Sequence, residues 1–322
     1  MNQTSPELAP ARGATTYIAG HRGLVGSAIW RRFERAGFTD LVGRTSAELD
    51  LRDRDAVFRF FDEVRPSTVV LAAAKVGGIL ANDTYPVDFL SENLRIQLSV
   101  MDAARAHGVD RLLFLGSSCI YPRLAAQPIT EDALLTGPLE PTNDAYAIAK
   151  IAGIQQVQAV RRQDGLHWIS AMPTNLYGPG DNFSPQGSHV LPALIRRFEE
   201  ARVAGTASVT NWGTGSPRRE FLHVDDMADA CLHLLDHHDG PQQVNVGTGT
   251  DVTIRELSEL VAAAVGYEGE VEWDTSKPDG TPQKLLDVSQ LARAGWTARI
   301  GLGDGLRSTV EWFRQQEGAV RG

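Results

Sequence analysis

A strand-like run, Thr15-Thr16-Tyr17-Ile18-Ala19, leads directly into Gly20-His21-Arg22-Gly23-Leu24-Val25-Gly26, after which Val25, Ile29 and Phe33 recur at helical spacing. Three glycines between an apolar strand and an amphipathic helix constrain the fold more than any other stretch of the chain. They permit a tight turn and let a ligand approach the backbone. The helix that follows offers free N–H groups and the positive end of its dipole, a corner suited to a pyrophosphate. The spacing is GxxGxxG rather than GxGxxG, and its strand–loop–helix context gives it meaning as a dinucleotide site.

The rhythm continues downstream. Leu41-Val42 is a short strand, residues 54–64 carry Val57, Phe60, Phe61 and Val64 at helical spacing, and Thr68 to Ala72 is a β-branched buried strand. A long helix is expected over 88–107, with Leu90, Leu94, Leu98 and Met101 near one face. Leu112 to Leu115 is a strand, 146–163 a second long helix, and Trp168 to Ala171 a fifth strand. This alternation predicts an α/β fold with a doubly wound parallel sheet, its ligand crevice at the carboxyl ends of the strands. Past Pro173 the pattern breaks into Gly-, Pro-, Asn- and Trp-rich sequence, then resumes with Val244-Asn245-Val246 and a capping box at Thr253 to Glu256. We expect a Rossmann domain over 15–176 and 221–247, a smaller α/β substrate lobe over 177–220 and 248–322, and a disordered tail at 1–14.

Charge narrows the partners. Forty acidic residues against 31 basic ones give a net charge of −9, which argues against a nucleic-acid groove or an anionic membrane surface. An anionic ligand would need a local cluster of cations. No apolar run approaches the roughly 20 residues of a membrane span, and the N-terminus lacks the basic start and apolar core of a secretory leader. Two cysteines, Cys119 and Cys231, are too few for a disulfide framework, so a cytoplasmic setting is expected. No metal site is expected. Cys231 reads as core.

At the end of the second strand, Arg44 stands where an NAD enzyme commonly places an acid for the ribose hydroxyls, and Arg22 adds a cation within the glycine loop. Two arginines able to fork a 2′-phosphate favour NADP(H). Tyr146 and Lys150 lie at i, i+4 on one helix, and Ser117 follows the fourth strand at the ligand edge. A nearby ammonium is expected to favour the phenolate, and a serine hydroxyl can stabilise a substrate oxyanion.

Eight stretches carry a resemblance: AGHRGLVGSAI (19–29), LAAAKVGGILAN (71–82), LLFLGSSCIYP (112–122), EPTNDAYAIAKIAG (140–153), MPTNLYGPGDNF (172–183), REFLHVDDMA (219–228), NVGTGTDVTIREL (245–257) and KPDGTPQKLLDV (277–288). By these the chain resembles the extended short-chain dehydrogenases/reductases, and more narrowly the GDP-L-fucose synthase family. The resemblance implies a bifunctional, cytoplasmic homodimer that epimerises C3 and C5 of GDP-4-keto-6-deoxy-mannose and reduces C4 with NADPH. It further implies Cys119 as the epimerisation base and His189 as the acid, with Tyr146, Lys150 and Ser117 serving the reduction. Gly20 to Gly26 (Gly20, His21, Arg22, Gly23, Leu24, Val25, Gly26), Arg44, Leu115, Lys150, Pro173, Asn175, Leu176 and His189 match cofactor positions. Arg197, Trp212, Arg219 and Asp279 match substrate positions. The alternative is another nucleotide-sugar 4-epimerase or 4,6-dehydratase of the same fold, recycling NAD. On sequence physics alone, Cys119 reads equally well as a small buried hydrophobe, and Trp212 as core.

Overall fold

The computed structural model describes residues 8–185, 187–277 and 279–316. In chain order the first half runs β1 (Thr16–Ala19), α1 (Leu24–Arg35), β2 (Leu41–Val42), α2 (Arg54–Val64), β3 (Thr68–Leu71), α3 (Ile79–Thr84), α4 (Pro86–Ala106), β4 (Arg111–Leu115), α5 (Asp144–Asp164) and β5 (Ile169–Pro173). The second half runs β6 (Asn175–Tyr177), α6 (Val190–Ala204), β7 (Ser208–Trp212), β8 (Arg218–Arg219), β9 (Phe221–His223), α7 (Val224–His237) and β10 (Val244–Val246). It ends with β11 (Val252–Thr253), α8 (Ile254–Val265), β12 (Glu270–Asp274), β13 (Gln283–Lys284), α9 (Ser289–Arg293) and α10 (Leu302–Gln316).

Six strands form one parallel sheet in the order β10-β5-β4-β3-β1-β2. The expected doubly wound sheet is therefore present, and Val244 to Val246 closes one of its edges. β1, β3 and β4 are buried along their whole length, as a sheet covered on both faces requires. One apolar layer gathers Tyr17, Phe61, Met101, Phe114, Ile154 and Trp168 under α2, α4 and α5. The opposite layer packs Ile18, Phe33, Val70, Met227 and Cys231 under α1 and α7. Because the chain leaves β1 in one direction to β2 and in the other to β3, the crevice opens where β1 and β3 end.

A third cluster, built from Phe183, Leu194, Phe198, Val261, Leu306 and Phe313, joins α6, α8 and α10. The capping box at α8 is present: the Thr253 hydroxyl and the Glu256 carboxylate each satisfy the other's backbone N–H. Within the stretch expected for this lobe, Leu286 packs with the α4–α5 layer, and Leu291 and Trp296 with the α1–α7 layer, so a strap of the chain returns to the sheet.

Two expectations are corrected. The short helix α3 was not foreseen, and α4 buries Phe89, Asn93, Gln97, Val100 and Met101 rather than the leucine stripe; Leu98 is 46% exposed. Polar residues take the inner face because they hold neighbouring backbone: Asn93 brackets Lys75, and Gln97 donates to the Ala149 carbonyl in α5. Nor is 8–14 a loose tail. Arg12 lies over the Phe38 ring and makes a two-pronged pair with Asp236 on α7. Residues 1–7 of the expected tail lie outside the described residues.

The lobe is stapled by Glu199 of α6, whose side chain is 2% exposed and takes bidentate bonds from Arg202 and from Arg314 of α10. Burial alone would raise this carboxyl; the two guanidiniums overcome it and hold the pKa at about 2, against an ordinary 4.5. A depressed folded-state value contributes stability above pH 4.5 and loses it as pH falls toward 2. Glu199→Gln should therefore destabilise the protein by roughly 3 kcal/mol at neutral pH. In urea unfolding followed by circular dichroism, the gap from wild type should narrow as pH drops below about 4.5. A gap independent of pH would contradict the staple.

Candidate active site

The glycine loop has the steric form that the sequence implies. Gly20 sits at φ +85°, and a Cβ there would lie 2.8 Å from the Ala73 backbone N, against the end of β3. A Cβ at Gly26 would stand 2.1 Å from the Gly20 carbonyl oxygen, so α1 can start this close to β1 only without side chains. Gly23 is the N-cap of α1 with no side-chain cap, and the first turn holds no acidic residue. The helix end is left to an external anion.

Arg22 and Arg44 are both exposed at this corner. Arg44 lies over the Phe60 ring at 5.4 Å and bonds the Gly43 carbonyl. Burial, then the charge of Arg22 and more weakly of Arg44, pushes the His21 pKa down against the pull of Glu48, so both guanidiniums bear on one spot. Uncapped helix, close-approach glycines and paired cations together fit a dinucleotide with an extra phosphate.

The carboxyl end of β4 carries the acid–base groups. Lys150 of α5 is buried and donates to the Leu115 carbonyl at 2.8 Å. Tyr146 lies one turn earlier; the Lys150 ammonium is 5.8 Å from its ring centre, and Phe89 packs edge-on against it. Ser117 caps a single 3-10 turn, Ser118–Ile120, accepts from the Cys119 N–H at 3.3 Å and lies close enough to Tyr146 to draw its pKa downward. The expected phenolate is corrected. Burial first, then the charge of Cys119, pushes the Tyr146 pKa above its ordinary value, and Ser117 only partly opposes this. Burial also lowers Lys150 to about 8. Lys150 donates to a carbonyl rather than to the phenol, and burial favours the protonated form of Tyr146.

Cys119 receives two donors that sequence reading missed: Asn143 Nδ2 at 3.5 Å and Lys284 Nζ at 3.6 Å. They stand 24 and 165 positions away along the chain, beyond any local motif. His189 is the N-cap of α6, exposed overall, and desolvation of its ring lowers its pKa. Cys231 is wholly buried in the core, as expected.

The remaining positions divide between this edge and the second lobe. Leu115 and Pro173 end β4 and β5, and Leu176 sits in β6. Asn175 Nδ2 donates to the Glu220 carbonyl. Arg197 Nη1 reaches Asn211 at 2.9 Å, and burial lowers its pKa. Burial likewise lowers Arg219, which faces the charge of Glu140. Glu140, also missed, pairs with Arg123 and accepts from Thr281. Asp279 accepts two bonds from Thr214. Trp212 is not core: it is 73% exposed, with the Lys277 ammonium 5.8 Å from its ring centre. Among the described residues no cluster of acids, histidines and cysteines could hold a metal ion.

A family model described as the NAD dependent epimerase/dehydratase family matches residues 16–247, and the chain belongs to that family. Within it the chain groups with the GDP-L-fucose synthases. GDP-L-fucose synthase 1 of Arabidopsis thaliana is 61% identical over 302 residues, covering 94% of each chain. The GDP-L-fucose synthase of Escherichia coli strain K12 is 54% identical over 315 residues, covering 95% of this chain and 98% of its own. A crystal structure of a GDP-L-fucose synthetase from Naegleria fowleri bound to NADP matches with a TM-score of 0.90 at 28% identity, covering 98% of this chain and 96% of that one.

The paired cations predict cofactor choice. Arg44→Asp should weaken NADPH binding roughly 10- to 100-fold, the loss of one charge-assisted contact, while NADH binding changes little. Fluorescence titration with both cofactors measures this. Equal losses would remove Arg44 from the 2′-phosphate site.

Proposed function

We propose that one pocket at the carboxyl end of β4 carries out both halves of the conversion of GDP-4-keto-6-deoxy-mannose to GDP-L-fucose, with separate groups for each half. The enzyme uses NADP(H), which supplies the hydride to C4 when bound. The observation that carries the reading is geometric: Asn143 and Lys284 converge on the Cys119 sulfur at 3.5 and 3.6 Å two residues past Ser117, while Lys150, one turn from Tyr146, is bonded to Leu115 at the end of the same strand.

The C4 ketone acidifies the protons on C3 and C5, because their loss gives an enolate. Cys119, with Asn143 and Lys284 bonded to its sulfur, takes those protons. His189, at the cleft wall, returns a proton to the opposite face and inverts the centre. Tyr146, kept neutral by burial, then protonates the C4 oxygen while Ser117 aligns it. Lys150, anchored on Leu115, holds the nicotinamide ribose. Gly20 to Gly26 take the pyrophosphate, Arg22 and Arg44 the 2′-phosphate, and Leu115, Pro173, Asn175, Leu176 and His189 line the nicotinamide end. For the GDP-sugar, Arg219 and Arg197 supply positive charge, exposed Trp212 stacks on a ring, and Asp279 accepts hydroxyl hydrogens.

The finer assignments rest on supporting features. Residues 15–176 with 221–247 serve the cofactor, and 177–220 with 248–322 the substrate, apart from the strap described above. Leu98 on α4 and Ile148 on α5 are each nearly half exposed, which supports a homodimer through these two helices. Both cysteines are unpaired, which supports a cytoplasmic setting. Among the described residues no helix is long and apolar enough to cross a membrane.

Two variants separate the halves. In deuterium oxide, Cys119→Ser should lose most solvent exchange at C3 and C5, and its residual NADPH oxidation should give a 6-deoxy sugar of the original configuration. Tyr146→Phe should still exchange but reduce roughly 100-fold more slowly. Proton NMR and mass spectrometry read both. Wild-type exchange in Cys119→Ser would leave Cys119 a packing residue; near-normal NADPH oxidation in Tyr146→Phe would remove the proposed acid.

A further inference from the structure

One buried carboxylate beside this site takes no part in the chemistry above. Glu220 is wholly buried between Arg219 and Phe221. Its Oε1 accepts from the backbone N–H groups of Thr248 at 2.6 Å and Gly249 at 2.8 Å, and its Oε2 from Leu286 N–H at 3.0 Å. A Cβ at Gly247 would lie 2.2 Å from Oε1, so the loop after β10 closes directly on the carboxylate. The Glu220 carbonyl, in turn, accepts from Asn175 at 2.8 Å and Thr174 at 3.3 Å.

These bonds join segments that meet at the reacting centre. Leu286 lies two residues past Lys284, and β13 runs parallel to β8 with Lys284 opposite Arg219. The carboxylate therefore ties the strand bearing Lys284 to the strand bearing Arg219. From its other side the strap is held by Gln127 and Ile129, both on Leu285, and upstream by Glu140 on Thr281. The strap also meets β8 through the Arg218 N–H on Pro282 and through Asp251, which accepts from both Arg218 and Gln283; Glu220 adds a clasp just past Arg219 that also fixes the 248–249 loop. A slip of this strand would move the Lys284 ammonium away from a sulfur that it meets at 3.6 Å.

We propose that Glu220 is a positioning residue for epimerisation, fixing the register at which Lys284 meets Cys119. The proposal rests on the reading of Cys119 as the carbon-acid base. Replacing the carboxylate with an amide turns one of its acceptor atoms into a donor that faces a backbone N–H, which loosens the clasp at nearly constant volume.

The test is a double-mutant cycle in deuterium oxide with Glu220→Gln, Lys284→Met and the pair. Deuterium at C3 and C5 and the fraction of reduced product that keeps the original configuration are measured together. Glu220→Gln should lower wash-in roughly tenfold or more and raise the unepimerised fraction, as Lys284→Met does, and the pair should be no worse than Lys284→Met alone. A merely structural role would lower exchange and NADPH oxidation together, leave the product ratio unmoved, and give multiplicative losses in the pair; that result would overturn the proposal. If Glu220→Gln shows no cooperative melting, the same cycle is run with Glu220→Asp, which keeps the charge on a shorter arm and should shift the product ratio in the same direction. Wild-type exchange in Cys119→Ser would instead refute the base itself, whatever Glu220 does.

Discussion

A buried ammonium bonded to a backbone carbonyl fixes the geometry on which the rest depends. Lys150 donates to Leu115, the last residue of β4, and so locks α5 against the end of the sheet's central strands. With that contact in place, Tyr146 stands one turn away, and Ser117 and Cys119 follow immediately on the same strand's exit. Low dielectric does the rest of the work. Burial pulls Lys150 down to about 8 and pushes Tyr146 upward, favouring the protonated phenol. Cys119 follows two residues beyond Ser117, with Asn143 and Lys284 on its sulfur. In the proposed mechanism, environment sets the base for carbon and the acid for oxygen apart within one site.

Electrostatics also reconcile an acidic chain with an anionic substrate. The net charge is −9, yet Arg22 and Arg44 bear on one corner of the crevice, while Arg219 and Lys284 lie opposite each other on paired strands. Cations concentrated at the ligand edge overcome a bulk field of the wrong sign over short distances, since salt screens charges more than about 8–10 Å away. Glu140 and Glu220 temper this cluster differently. Glu140 faces Arg219 across space, whereas Glu220 takes its bonds from the Thr248, Gly249 and Leu286 N–H groups and the Thr248 hydroxyl.

Much of the fold was legible because it rests on local rules. Gly20 to Gly26 between β1 and α1, the β-branched run of β3, and the capping box of α8 each need only a few adjacent residues. The leucines of α4 misled because apolar spacing says which residues share a face, not which face turns inward; Asn93 and Gln97 won that face by satisfying the backbone around Lys75 and Ala149. Tyr146 and Lys150 were found by spacing, but their protonation depends on burial, which spacing does not report. Asn143 and Lys284 were invisible for a different reason: only the folded chain brings them to Cys119. Trp212, read as a substrate position with core packing as the competing reading, is largely exposed, which removes the core reading.

The central claim is that one pocket inverts two carbons through proton exchange with solvent and then reduces their shared ketone with hydride from NADPH. The most direct measurement is a single reaction of the wild-type enzyme with GDP-4-keto-6-deoxy-mannose and unlabelled NADPH in deuterium oxide, analysed by proton NMR. The account predicts GDP-L-fucose with deuterium at both C3 and C5, protium at C4, and one NADPH consumed per product. A product with no solvent deuterium at these carbons, or turnover without net consumption of NADPH, would contradict it.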